Sequence, residues 1–151
     1  GQLSHVRGMR LVCVASILAL FAASSSWAFE PPFAVKAEMS GSARVMDGDG
    51  IAINGVEIRL QGIAAPEDSG FRTDPGGRDA TQALMQLAEG KTVTCYLDGS
   101  ETRGRPVGVC VVDGEDVGAV LVREGFARDC PRFSGRRYAS AEREAVRTGR
   151  D

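Results

Sequence analysis

Histidine is almost missing from this chain: His5 is the only one in 151 residues. Tryptophan occurs only as Trp27, lysine only as Lys36 and Lys91, and no Cys-x-x-Cys spacing is present. Each scarcity closes a class of chemistry. Ser-His-Asp or Cys-His catalysis needs an imidazole base, and Cys/His zinc sites need imidazole or paired thiolates. Aromatic residues amount to 6%, too few for a broad stacking platform once the core has taken its share. The formal charge of −2, from 18 basic and 20 acidic residues, excludes nucleic-acid binding by bulk positive charge alone. What remains for catalysis is carboxylates, arginines, hydroxyls and a hard cation.

The apolar, uncharged stretch Leu11–Ala23 follows Met9-Arg10 and is too short to span a bilayer comfortably. With Ser26-Trp27-Ala28 supplying small residues at a cleavage site, residues 9–28 read as a signal peptide and residues 1–8 as an upstream remnant. Cleavage would remove His5, Trp27 and Cys13, leaving 16 basic against 20 acidic residues, a charge of −4. The processed chain is then expected in the periplasm or secreted, as a monomer without stable membrane insertion. Residues 29–42, with Pro31-Pro32 and little periodicity, read as a loose N-terminal segment ahead of a domain at 43–151.

Ile51 to Leu60 is a hairpin pattern around Asn54-Gly55, the preferred two-residue turn. Its register sets Ile53 opposite Val56 and Ile51 opposite Ile58, all four on one buried face, with Glu57 and Arg59 pointing away. Residues 75–89 read as a helix with Ala80, Ala83, Leu84, Leu87 and Ala88 on one stripe, closed by Gly90. Residues 91–97 and 107–112 read as strands joined by the polar stretch 98–106, and 117–124 and 138–148 as further helices. Strands first, one inserted helix and helices at the end predict a small antiparallel β-barrel with packed helices, an α+β arrangement. Cys95 and Cys110 lie symmetrically about the midpoint between Thr102 and Arg103. They either form a cross-strand disulfide or remain two buried thiols, with Cys130 left over.

Asp47-Gly48-Asp49-Gly50 offers two carboxylates suited to a hard cation, although Asp-Gly pairs are also ordinary turn chemistry. An EF-hand is excluded, because Gln61 or Gly62 stands where its Glu would. Arg59 interrupts an alternating strand, Pro66-Glu67-Asp68 follows it, and Arg103-Gly104-Arg105 precedes the strand with Cys110. In order and spacing, Val45–Ile51, Ile58–Glu67, Gly104-Arg105 and Leu121–Ala127 together resemble the staphylococcal-nuclease-like (thermonuclease) family, exported bacterial branch.

That resemblance implies an OB-fold, a five-stranded antiparallel barrel with about three helices, that hydrolyses DNA and RNA phosphodiesters with calcium. It assigns Arg59 and Arg105 to the phosphate and its developing charge, and Glu67 to the general base. Asp49, with Asp47 outside it and the Ala65 backbone carbonyl, would hold Ca2+. The sequence departs from the family pattern at Ala64, where an Asp usually ligates the metal, so calcium binding is expected to be weak. Gly50 and Arg103 depart as well, from a Thr and an aromatic. The reading is therefore an exported metal-dependent nuclease, impaired at the metal. The alternative is a degraded OB-fold module that only binds nucleic acid or another anionic polymer. One geometric tension remains: strict hairpin register sets Asp49 opposite Leu60 on the apolar face, and only a bulge at Gly48 or Gly50 re-aims it.

Overall fold

A computed structural model of the chain describes residues 28–150. The expected leader therefore lies outside the described residues, apart from Ala28. Strand β1 (Ala37–Asp47) pairs antiparallel with β2 (Gly50–Ile53), which turns through Asn54-Gly55 into β3 (Val56–Leu60). β4 (Ile63–Ala64) leads to helix α1 (Gly77–Ala88). The chain returns as β5 (Thr92–Thr102) and β6 (Arg105–Val112). Then follow β7 (Glu115–Asp116), α2 (Val117–Arg123), β8 (Arg128–Asp129), α3 (Pro131–Ser134) and α4 (Ala139–Arg147).

The sheet order β3-β2-β1-β5-β6 closes on itself because β3 also pairs with β6, Arg59 with Val107 and Leu60 with Gly108. This is the five-stranded barrel with helices that the sequence predicts, with one difference. The closing seam is parallel, so the barrel is mixed rather than antiparallel. The reason is topological: a tight turn joins only antiparallel neighbours, and α1 with β5 intervenes between β3 and β6. Among the described residues, three helices of seven residues or more carry the packing, and α3 adds a single turn of four.

Ile51, Ile53, Ile58, Leu60, Val93 and Cys95 fill the interior, and Leu84 and Ala88 of α1 and Val117, Leu121 and Val122 of α2 cap it. The alternation expected for the first hairpin holds except at Val56, which is 38% exposed because it lies at the tip, beyond the core. β1 begins at Ala37, inside the stretch expected to be loose. Residues 37–42 carry little apolar alternation, and their order comes from the ladder with β5, Ala37↔Leu97 through Ser42↔Thr92. α1 starts two residues later than expected, after Pro75 and Gly76.

The polar stretch 98–106 is not a loop. β5 and β6 run on to a two-residue turn at Arg103-Gly104, both with positive φ (51° and 76°). An irregularity between Leu97 and Glu101 shifts the register by two residues, which is why Cys95 faces Cys110 although the turn is centred one residue later than their midpoint. The two are bonded, and Cys130 is a free thiol.

A buried polar relay ties the C-terminal region to the barrel. The Tyr138 hydroxyl donates to Asp116 (2.8 Å), whose other oxygen caps α2 at the Gly118 N–H (2.9 Å). Arg137 lies over the Tyr138 ring and bonds its hydroxyl and the Gln61 side chain. Burial pushes the Asp116 carboxyl above its ordinary range, against the favourable bonds from Tyr138 and the α2 amides.

The disulfide closes a segment with a sequence separation of 15. Chain entropy assigns such a loop about 3 kcal/mol. The Cys95→Ala/Cys110→Ala chain should lose that order of stability in denaturant titration, whereas Cys130→Ala should lose little. Equal losses would mean that packing, not the crosslink, accounts for the stability here.

Candidate active site

The Asp47–Gly50 segment is a turn pressed into the fold by the absence of a side chain at Gly48. A Cβ there would sit 2.8 Å from both the Ala65 and Ala80 Cβ atoms. The tension over Asp49 is resolved in β1. Pairing with β2 slips between Val45 and Asp47, so the bulge lies there rather than at Gly48 or Gly50, and β2 starts only at Gly50. Asp49 is outside the ladder. Its carbonyl still accepts from the Leu60 N–H (2.8 Å), while its carboxylate turns toward the end of β3.

That carboxylate is held from two sides. Oδ2 accepts the Ala65 N–H at 3.0 Å and faces Arg59 Nη2 at 3.2 Å. Arg59 in turn donates to its neighbouring Leu60 carbonyl (2.7 Å) and to the Ile63 carbonyl (2.9 Å). The guanidinium is thus fixed by β3, by β4 and by the β1–β2 turn. Burial raises the Asp49 carboxyl above its ordinary range, while Arg59 and the Ala65 N–H oppose the rise and Asp47 adds to it.

Glu67 reaches the same region from the segment after β4. Its carbonyl accepts the Asp74 N–H (2.8 Å), and a Cβ on Gly77 would lie 2.1 Å from that oxygen. Only glycine lets the start of α1 approach so closely, and this contact sets where the Glu67 backbone stands. Arg105 enters from the start of β6. A Cβ on Gly50 would meet Asp47 Oδ1 at 2.9 Å and Arg105 Nη1 at 3.8 Å, so those two groups border the same small space.

Asp47, Asp49, Arg59, Glu67 and Arg105 line one cleft of about 500 Å3, together with Glu57, Ser69, Thr102 and Arg103. These last four were not singled out as site residues in the sequence. Glu57 shares the outward face with Arg59 by period two, and the Arg-Gly dipeptide marks Arg103 as a turn tip; Ser69 and Thr102 carry no such signal. A larger hollow, about 670 Å3 between α1 and α2, contains none of the five.

Among the described residues no three Asp, Glu or Cys side chains stand close enough to share an ion. Ala64 offers a methyl and lines a neighbouring hollow. For Ala65 the structure shows its N–H engaged by Asp49. What the cleft does hold is an adjacent pair of hard donors, Asp47 and Asp49, linked by the Asp49 N–H to Asp47 Oδ1 (3.2 Å). Asp47 Oδ2 and Asp49 Oδ1 have no hydrogen-bond donor among the described residues. This donor set fits an open, weakly held divalent cation, not the closed cage of six to eight oxygens that tight calcium sites use.

A family described as Staphylococcal nuclease homologue matches residues 57–150, well over half of the chain, starting just past the Asp47–Asp49 turn. The succinoglycan biosynthesis protein ExoI of Rhizobium meliloti (strain 1021) is 33% identical over 117 residues, 72% of this chain and 61% of its own. The probable staphylococcal-like nuclease CAN1 of Oryza sativa subsp. japonica is 32% identical over 80 residues, 53% of this chain and 23% of its own. An uncharacterized endonuclease of Escherichia coli O157:H7 is 38% identical over 89 residues, 56% of each chain. The chain thus spans less than two thirds of each of these relatives.

A buried carboxylate whose folded pKa is raised contributes stability below its unfolded pKa, and that contribution is lost as pH rises through the folded value. Asp49→Asn should therefore raise the unfolding midpoint near about pH 7 and leave it almost unchanged near about pH 3. Thermal unfolding across that range checks the sign; a drop at neutral pH would show that the Arg59 pairing outweighs burial.

Proposed function

The chain belongs to the staphylococcal nuclease homologue family, and from that premise we propose that it is an exported nuclease that hydrolyses DNA and RNA phosphodiester bonds. The observation that carries the proposal is the convergence of Arg59, Glu67 and Arg105, with Asp47 and Asp49, on one cleft from four separate segments.

The chemistry follows from the residue types. A phosphodiester in the cleft meets Arg59, already oriented by two carbonyls and Asp49, and Arg105, whose guanidinium is not tied down by a carboxylate among the described residues. Both donate to phosphate oxygens, and their bonds strengthen as charge accumulates in the transition state. Glu67 accepts a proton from water as its oxygen attacks phosphorus. The bond to the leaving oxygen breaks, and that oxygen takes a proton from solvent. Calcium held weakly by Asp47 and Asp49 would supply Lewis-acid polarisation of the phosphoryl oxygen when bound. Export rests on the leader read in residues 9–28 and agrees with a disulfide-bonded core.

A second reading, an anion-binding module that no longer cuts, draws on the methyl at Ala64 and on the absence of a three-acid cluster among the described residues. The two readings part on one experiment: hydrolysis of a labelled oligonucleotide by the chain and by Ala64→Asp, with calcium varied. The nuclease reading expects measurable cutting that rises with calcium into the millimolar range, and stronger cutting at lower calcium in Ala64→Asp. Arg105→Ala should cost about 10²–10³ in kcat. Glu67→Gln should cost about 10²–10⁴. Binding without hydrolysis by both chains would establish the second reading. Calorimetric calcium binding at micromolar metal would mean that another ligand, such as Asp68, completes the site.

A further inference from the structure

We propose that β8 and α4 form a second anion-binding surface that receives the nucleic-acid strand beyond the phosphate held in the cleft. The proposal rests on the nuclease reading above and extends it to the substrate's length. The surface is a hollow of about 520 Å3 lined by Arg128, Arg143, Arg147, Glu142 and Val146. Its only carboxylate, Glu142, already accepts the Asp129 N–H (3.3 Å). Arg147 is paired with Glu144, but the Arg128 and Arg143 guanidiniums have neither a hydrogen bond nor a carboxylate within 4 Å among the described residues.

Like Arg103 and Arg105 in the cleft, Arg128 and Arg143 stand without an ion pair in one hollow, while nearby Arg123 pairs with Glu115 and Arg150 with Glu124. Unpaired in one hollow, Arg128 and Arg143 have their guanidiniums available to an anion. Guanidinium forks suit phosphate in particular.

The position of this surface connects it to the cleft. Arg128 lies directly across the β4–β8 ladder from Ala64, and facing residues project to the same side of a sheet. Together they line a hollow of about 600 Å3 whose wall includes Ala65 and Pro66. Ala65 is the residue that holds Asp49, and Pro66 precedes Glu67. That hollow is also lined by Asp79 and Arg150, and a polyanion leaving the cleft past Pro66 crosses it to reach Arg128 and α4. Single-stranded nucleic acid carries phosphates at regular intervals and bends enough to follow such a path.

The test compares the full chain with its Arg128→Ala/Arg143→Ala variant, two exposed positions whose loss leaves the core intact. Binding of phosphorothioate single-stranded DNA of about three and about fifteen nucleotides is measured by anisotropy with metal chelated, at several salt concentrations. The variant should bind the long strand about tenfold more weakly, with the salt slope shallower by about 1.4, and the short strand as before. Equal loss on both lengths, or none, overturns the surface as a distal contact. An equal loss on a polycarboxylate of similar charge overturns its assignment to nucleic acid. Failure of the unsubstituted chain to bind the long strand overturns this proposal, whereas the nuclease reading is judged separately, by hydrolysis with calcium varied.

Discussion

The ion pair between Arg59 and Asp49 is the joint around which the cleft is assembled. It crosses from the end of β3 to the β1–β2 turn, and Asp49 extends it to Ala65 while Arg59 extends it to the carbonyls of Leu60 and Ile63. Three chain segments, the β1–β2 turn, the end of β3 and the chain around β4, are thereby held in one geometry. Such a pair is poor evidence for stability, since the desolvation of Asp49 outweighs what Arg59 returns to it. Its value is positional. The guanidinium is pre-oriented before any ligand arrives, and the turn with Asp47 is held beside it.

The glycines make this joint possible by removing bulk where backbones meet. Gly48 lets the acidic turn settle on Ala65 and Ala80, and Gly77 lets the start of α1 close on the carbonyl of Glu67. The site is therefore built from close approaches to α1 as much as from the barrel. That explains why a helix inserted between β3 and β5 belongs to the functional architecture: it is the floor against which both the acidic turn and the Glu67 segment rest.

Much of this was legible in the residues, for reasons that differ from element to element. The Asn54-Gly55 hairpin announced itself because turn chemistry and period-two alternation agree, and α1 because its apolar stripe is long enough to read. The facing of Cys95 and Cys110 was readable from spacing, yet it depends on a bulge at 98–100 that spacing does not reveal. β1 before Ala43 was not readable, since a strand ordered by ladder bonds need not alternate. The parallel β3–β6 seam, β4 and β8 are fixed by long-range closure and leave no local signal. For the site, ordered motifs named five of the nine residues that line the cleft. The slip in β1 that aims Asp49, and the partners that aim Arg59, belong to the folded chain alone.

The same long-range pairing bears on the site's charge. β4 and β8 set Ala64 against Arg128, so beside the acidic turn a methyl stands opposite a cation rather than another carboxylate. Arg103 and Arg105 add positive charge at the cleft, against Asp47, Asp49, Glu57 and Glu67. Asp49 is partly neutralised by Arg59 and Asp47 accepts the Asp49 N–H, which leaves Glu57 and Glu67 as the cleft acids without a side-chain hydrogen bond or ion pair among the described residues. A phosphate entering this cleft meets guanidiniums and carboxylates close together. Without a cation between the acidic turn and the phosphate, the carboxylates repel the ligand that the guanidiniums attract. On the proposed function, a cation at the acidic turn and a phosphate in the cleft would be coupled: each would lower the electrostatic cost of the other, and the two would bind together more readily than either alone.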